Sequence, residues 1–294
     1  MITHQIIGGV LEFDPMKVQN LPNFDRISTL AATILLAYAM GRFVDLPART
    51  LELVVLGVYF GIELNARTVV AIFVAGLTAS GADWLIRQHP EFSGRSTLQH
   101  WFLPGLTALV LGQTLNNLPS GVLWGIVFTI GAGLLLLVLV AEYIVVDAKD
   151  ANYPVAVAGL TALSFALFLV LAITLKNSGV RLIYLVPPLA SSSGLISIRY
   201  VYLRLNLQNN FTEENARMAF YAAIAIAVIA GQLATALHYW ALSPIGFGLA
   251  LLGPSYGLTN FVGNLTDGRS VRRAAIEPAL IWLGIWMIAI WSQG

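Results

Sequence analysis

Beyond residue 26, apolar residues fall into runs of about 20, separated by short clusters of charge, proline or glycine. At 1.5 Å per residue such a run reaches about 30 Å, the thickness of a bilayer's hydrocarbon core. A membrane barrel would instead show segments of about 10 residues alternating between apolar and polar. The pattern predicts an all-α, polytopic integral membrane protein with ten helices. These cover residues 27–44, 48–64, 66–87, 101–116, 119–146, 152–175, 181–202, 214–242, 244–263 and 273–292. The second opens on Arg49 and Glu52, and the fourth is barely long enough to cross; if both are half-helices, ten becomes eight. Residues 1–26 lack a positive stretch ahead of an apolar core, so they read as a surface tail rather than a cleavable signal peptide. Residues 27–292 form a single transmembrane domain, with halves at 27–146 and 152–292.

Composition strengthens this picture. Hydrophobic residues make up 57% of the 294-residue chain and charged residues 11%, against roughly a quarter charged in soluble domains. Mean hydropathy is +0.77. Too few polar side chains are present to cover a water-facing surface, so membrane lipid is the expected partner. Net charge is +1, with no Lys/Arg run, which argues against a nucleic-acid partner. Cysteine is absent, which removes disulfides, thiolate metal sites and thiol nucleophiles.

Charge also orients the chain. With ten crossings, Arg42, Arg49, Arg87, Arg95, Lys149, Arg199, Arg204, Arg217, Arg269, Arg272 and Arg273 share one side, leaving Lys17, Arg26, Arg67, Lys176 and Arg181 on the other. The first side is then cytoplasmic, and both termini are expected outside the cytoplasm, in a plasma or inner membrane.

The halves carry ordered parallels. Asn65-Ala66-Arg67 opens segment three and Asn215-Ala216-Arg217 opens segment eight; Ala75-Gly76 leads to Trp84 as Ala230-Gly231 leads to Trp240. Five helices per half would insert the second copy upside down, as in the inverted repeats of many secondary transporters. Size and helix number are similar to those of the ten-helix drug/metabolite transporters, without a diagnostic residue, so no family is assigned.

Ionisable residues deep in a bilayer are costly and point to function. Here they read as shallow. Asp83 with Arg87, and Glu63 with Arg67, have the i,i+4 spacing of interfacial pairs. Glu142 falls near the far end of segment five, and Glu277 near the start of segment ten.

Two central segments look broken. Segment seven contains Pro187-Pro188 followed by Ser191, Ser192, Ser193 and Gly194, and segment nine contains Gly253-Pro254-Ser255-Tyr256. Tyr256, Asn260 and Asn264 then recur every four residues on one face. Interrupted hydrophobic segments near the midplane mark transporter binding sites, so Ser191–Gly194, Ser255, Tyr256 and Asn260 are the candidate substrate contacts. The same glycines and serines also suit close helix packing, as do Gly57-x-x-x-Gly61 and Gly253-x-x-x-Gly257.

Enzyme chemistry has thinner support. His4, His89, His100 and His238 contain no metal-ligand spacing, and no cofactor or metal is expected. Asp147 and Asp150 form one acidic pair, where a magnesium-diphosphate site would need more. Ser193-Gly194 with His238 is similar to the serine-histidine pairing of rhomboid intramembrane proteases, but Ser191 breaks their Gly-x-Ser-Gly motif. The leading expectation is therefore a small-molecule transporter with a largely uncharged site between segments seven and nine. A membrane enzyme acting on a lipid or isoprenoid, or a structural subunit or assembly factor, is the alternative.

Overall fold

In the computed structural model the described residues are 24–41, 49–55, 58–64, 66–90, 92, 97–119, 121–208 and 211–292. They form nine helices and one hairpin. The order is α1 (Phe24–Gly41), β1 (Arg49–Val55), β2 (Val58–Leu64), α2 (Ala66–Arg87), α3 (Leu98–Asn117), α4 (Val122–Ile144), α5 (Tyr153–Asn177), α6 (Leu182–Leu207), α7 (Glu213–His238), α8 (Pro244–Thr266) and α9 (Val271–Trp291). Seven of these, α2 and α4 through α9, are long and apolar enough to cross a membrane. The chain is an integral, multi-pass helical membrane protein.

Within residues 48–64, expected as the second helix, Arg49–Val55 and Val58–Leu64 are instead antiparallel strands in which Leu51 pairs with Ile62, Leu53 with Phe60 and Val55 with Val58. The physical reason lies in the residue types. Val54, Val55, Val58, Tyr59, Phe60 and Ile62 are β-branched or aromatic and favour a pleated strand. Alternation places Thr50, Glu52 and Glu63 on the register face opposite Leu51, Leu53, Phe60 and Ile62. Two expectations fall with that helix. Glu63 lies in β2 and Arg67 in α2, so no helical i,i+4 spacing links them, and Gly61 is a strand residue rather than part of a helix-packing motif.

The hairpin also changes the direction of the first helix. Arg26 at the start of α1 donates to Gln88 just past the end of α2, and Leu30 meets Gly81 while Gly41 meets Val70. The two helices are therefore antiparallel, with the hairpin between them at one end of the bundle. The other end holds the start of α1 and the 145–152, 208–212 and 267–270 connections. Arg26, Arg87, Lys149, Arg204, Arg217, Arg269, Arg272 and Arg273 cluster there, and it is called the basic end below.

α3 is surrounded by protein: from 99 to 116 none of its residues is exposed. Leu103, Leu106 and Val110 join an apolar cluster with α5, α6 and α8, while Ala108, Leu111 and Leu115 join another with α1, α2 and α4. Backbone and polar groups at membrane depth are tolerated where protein buries them.

Side-chain caps open two helices of the second half. Thr212 caps α7 by accepting from the Asn215 amide at 3.2 Å, and Ser243 caps α8 from the Gly246 amide at 3.1 Å with Pro244 at the first helical position. Gly253 and Gly257 let α9 approach, because a Cβ at either would come within 3.3 Å of Trp282 or of the Pro278 carbonyl. Trp286 donates its indole N–H to the Ala250 carbonyl at 3.0 Å. With Trp282 packed against Gly253 and Gly257, both tryptophans take part in the α8–α9 contact.

Candidate functional site

α6 and α8 run side by side as continuous helices, despite Pro187, Pro188 and Pro254 inside them. Pro187 and Pro188 are the sixth and seventh residues of α6, past the four amides that have no intrahelical acceptor, so each removes one helical bond, yet the helix continues through them to Leu207. The hydroxyls of Ser191 and Ser192 bond to the Pro188 and Leu189 carbonyls at 3.3 and 3.1 Å.

A hydroxyl seam joins the two helices. Ser193 donates to Ser255 at 3.2 Å, and Ser197 and Thr259 lie 2.6 Å apart. All four are buried, and Ser197 and Thr259 also bond to carbonyls one turn back in their own helices. Gly194 faces α7, where an added Cβ would meet Ala227 at 2.9 Å and the Ala223 carbonyl at 3.1 Å. Ser192, Ser193, Gly194 and Ser255 thus sit in helix contacts rather than around a void, and Ser191 is exposed.

Toward the basic end the seam becomes larger and opens. Tyr200 donates to Asn260 at 2.8 Å, and Arg204 donates to the Tyr200 hydroxyl. Arg204 grips Asp267 with two donors, Nε at 2.9 Å and Nη2, and reaches Asn264 at 3.3 Å. Gln208 also donates to Asp267. On the α5 side of this polar group lies a groove of about 580 Å³ lined by α5, α6 and α8. Pro154, Val157, Ala158, Thr161, Ala162 and Phe165 form its α5 wall; Tyr200, Arg204, Leu207 and Gln208 come from α6, and Tyr256 and Asn260 from α8. From Pro154 to Phe165 the wall extends about 16 Å at helical rise, reaching roughly the middle of the bundle. There the rings of Phe165 and Tyr256 meet edge to face with centroids 5.1 Å apart.

Of the substrate contacts expected from sequence, the structure brings Tyr256 and Asn260 into this groove and leaves the serines outside it. Tyr200, Arg204 and Gln208 were missed. Their signal was present: at i, i+4 and i+8 they continue the stripe of Ser193 and Ser197. Segment seven was ended at residue 202, whereas α6 continues to Leu207.

A second polar group is buried beside the groove. Glu142 on α4 accepts from His100 Nδ1 on α3 at 2.9 Å and lies 2.5 Å from Arg199 Nη2 on α6. The latter is the charge contact of a buried ion pair. Arg199 Nη1 donates to the Gln99 carbonyl at 2.7 Å. The carboxylate is 1% exposed and the guanidinium 5%. The sequence put Glu142 near an interface, and it does lie close to the end of α4, but facing the protein interior.

The remaining candidates are dispersed. Asp83 pairs with Arg87 at 2.8 Å as expected, and also accepts from Trp101 at 3.2 Å and from Thr97. Glu63 and Arg67 have side chains outside the described residues. Asp147 and Asp150 accept from the backbone amides of Lys149 and Asn152, as turn residues do. Ser193 bonds to Ser255 midway along α6, whereas His238 ends α7 at the far end of the bundle from the basic end. No group of three metal-ligating side chains occurs among the described residues.

A family model described as "Protein of unknown function (DUF5656)" matches residues 46–292. No curated protein and no solved structure matches the chain.

Proposed function

The chain belongs to this family, whose description assigns no activity, and we propose that it carries a small amphiphilic molecule across the membrane through the groove between α5, α6 and α8. One observation carries the reading: the groove lies at the basic end and stops midway at the Phe165–Tyr256 contact. A site reachable from one face and shut toward the other is one of the two states that alternating access requires. Its volume falls within the range of about 300–1,000 Å³ usual for small-molecule sites. The expected uncharged site between segments seven and nine is thereby moved toward their basic ends and given α5 as its third wall.

The inverted repeat belongs to this proposal. With a hairpin in place of the second helix the first half has four helices rather than five, and the repeat narrows to α2–α4 and α7–α9: α2 and α7, at the matching Asn-Ala-Arg triplets, begin at opposite ends of the bundle, as inverted copies must. Nine crossings replace ten, with α1 and α3 counted and the hairpin left at the end opposite the basic one. The basic end is then cytoplasmic by the positive-inside bias. The N-terminal side of α1 moves to the cytoplasm, and the end of α9 stays outside.

Ala158 and Ala162 are exposed on the groove wall one turn apart. A tryptophan at Ala162 would fill the groove without entering the packed core. In liposomes carrying the full chain, a single-chain lipid bearing a nitrobenzoxadiazole label should exchange between leaflets faster than in protein-free liposomes, read by dithionite quenching. Ala162→Trp should return exchange to the protein-free rate. Exchange that is never accelerated, or that is indifferent to Ala162→Trp, would overturn the carrier reading.

A further inference from the structure

The groove has a polar end and an apolar end, and their order in the membrane matters. Arg204 and Gln208 lie in the last turn of α6 and at its cap, at the basic end of the bundle. Val157, Ala158, Ala162 and Phe165 continue inward along α5. A molecule fitting both ends has its head at the basic face and its tail toward the midplane, the posture of an amphiphile in that leaflet.

The charge at the polar end is already balanced. Arg204 is held by Asp267, and its remaining contacts go to Tyr200 and Asn264. An anionic head placed against Arg204 meets the Asp267 carboxylate, and a cationic head placed against Asp267 meets the guanidinium. Within the low-dielectric surroundings of the helix ends, either like-charge approach is unfavourable. What is left to bind with is neutral. Asn260, Tyr256 and Gln208 line the groove, and the Asn260 amide N–H groups, the Tyr256 hydroxyl and the Gln208 carbonyl make no hydrogen bond among the described residues. These are three donor hydrogens, two from Asn260 and one from Tyr256, and two acceptors, the Tyr256 hydroxyl and the Gln208 carbonyl, and they complement a group that itself donates and accepts. Hydroxyls do so, whereas carboxylates and quaternary ammonium groups do not.

We infer that the ligand is a single-chain amphiphile with an uncharged, hydroxyl-bearing head, bound with the head at Asn260, Tyr256 and Gln208 and the tail along α5. The inference rests on the carrier reading for the location of the site, and on the Arg204–Asp267 pair for the chemistry of the head.

Native mass spectrometry of the detergent-purified full chain tests it with three probes of matched acyl length: a monoacylglycerol, a fatty acid and a lysophosphatidylcholine. The monoacylglycerol should bind at least tenfold more tightly than either charged probe. Asn260→Leu, which removes a neutral hydrogen bond, should weaken it about tenfold, the factor that corresponds to about 1.4 kcal/mol. Ala162→Trp should abolish binding of all three. Equal or tighter binding of a charged probe, still lost in Ala162→Trp, overturns the head assignment and leaves the groove standing. Binding that survives Ala162→Trp, or no binding of any probe, overturns the groove itself. Retention of the fold in both variants is read from thermal unfolding.

Discussion

Arg199→Met should destabilise the protein by about 3–5 kcal/mol, the cost typical of removing one partner from a buried ion pair. Glu142 would be left 1% exposed with only His100 beside it, and a carboxylate without its counter-charge is expensive at that burial. The network also spans the two halves of the chain, since His100 and Glu142 belong to α3 and α4 and Arg199 to α6. The cost therefore falls on the contact between halves. Thermal unfolding in detergent should show a lower midpoint for Arg199→Met. The double variant Glu142→Leu/Arg199→Met should recover most of the loss, because replacing both charges by apolar side chains of similar volume is often close to neutral. An unchanged midpoint in the single variant would mean that the charges are solvated and not buried as described.

The second large effect is all-or-none. A reporter active only in the cytoplasm should be active when fused ahead of Met1 and inactive when fused after Gly294. Ten crossings would place both fusions outside. The difference rests on Arg49–Val55 and Val58–Leu64, which form strands rather than a helix, and on the antiparallel seating of α1 on α2. Lys17 and Arg26 then join the basic side, while Arg42 and Arg49 leave it, so the positive-inside bias is as strong as before. Two inactive fusions would restore the helix at 48–64 and undo the parity.

Much of the fold was legible because bilayer thickness fixes the length of an apolar run. α2 and α4 through α9 follow the expected spans within a few residues. The hairpin was not legible because a 17-residue apolar stretch satisfies the length criterion whether it forms one helix or two strands; only its β-branched content and alternation separate the cases. The site was half legible. The four-residue recurrence of Tyr256, Asn260 and Asn264 marks a polar face, and Tyr256 and Asn260 do line the groove. The serines of α6 misled because a hydroxyl can satisfy a neighbouring helix as readily as a ligand, and here Ser193 and Ser197 are satisfied by Ser255 and Thr259. Glu142 shows the other limit. Position along a helix gives depth, but which face meets protein depends on the partner helices, and Arg199 lies 57 residues away in the chain.

The central claim is that the open site is the α5–α6–α8 groove and that the α6–α8 seam is sealed. The absence of native cysteine makes this directly measurable with single substitutions. A charged maleimide applied from the basic end should modify Asn260→Cys readily and leave Ser193→Cys and Ser255→Cys unmodified until the protein is unfolded. Modification of Ser193→Cys at the rate of Asn260→Cys in the folded protein, or an inert Asn260→Cys, would contradict the account.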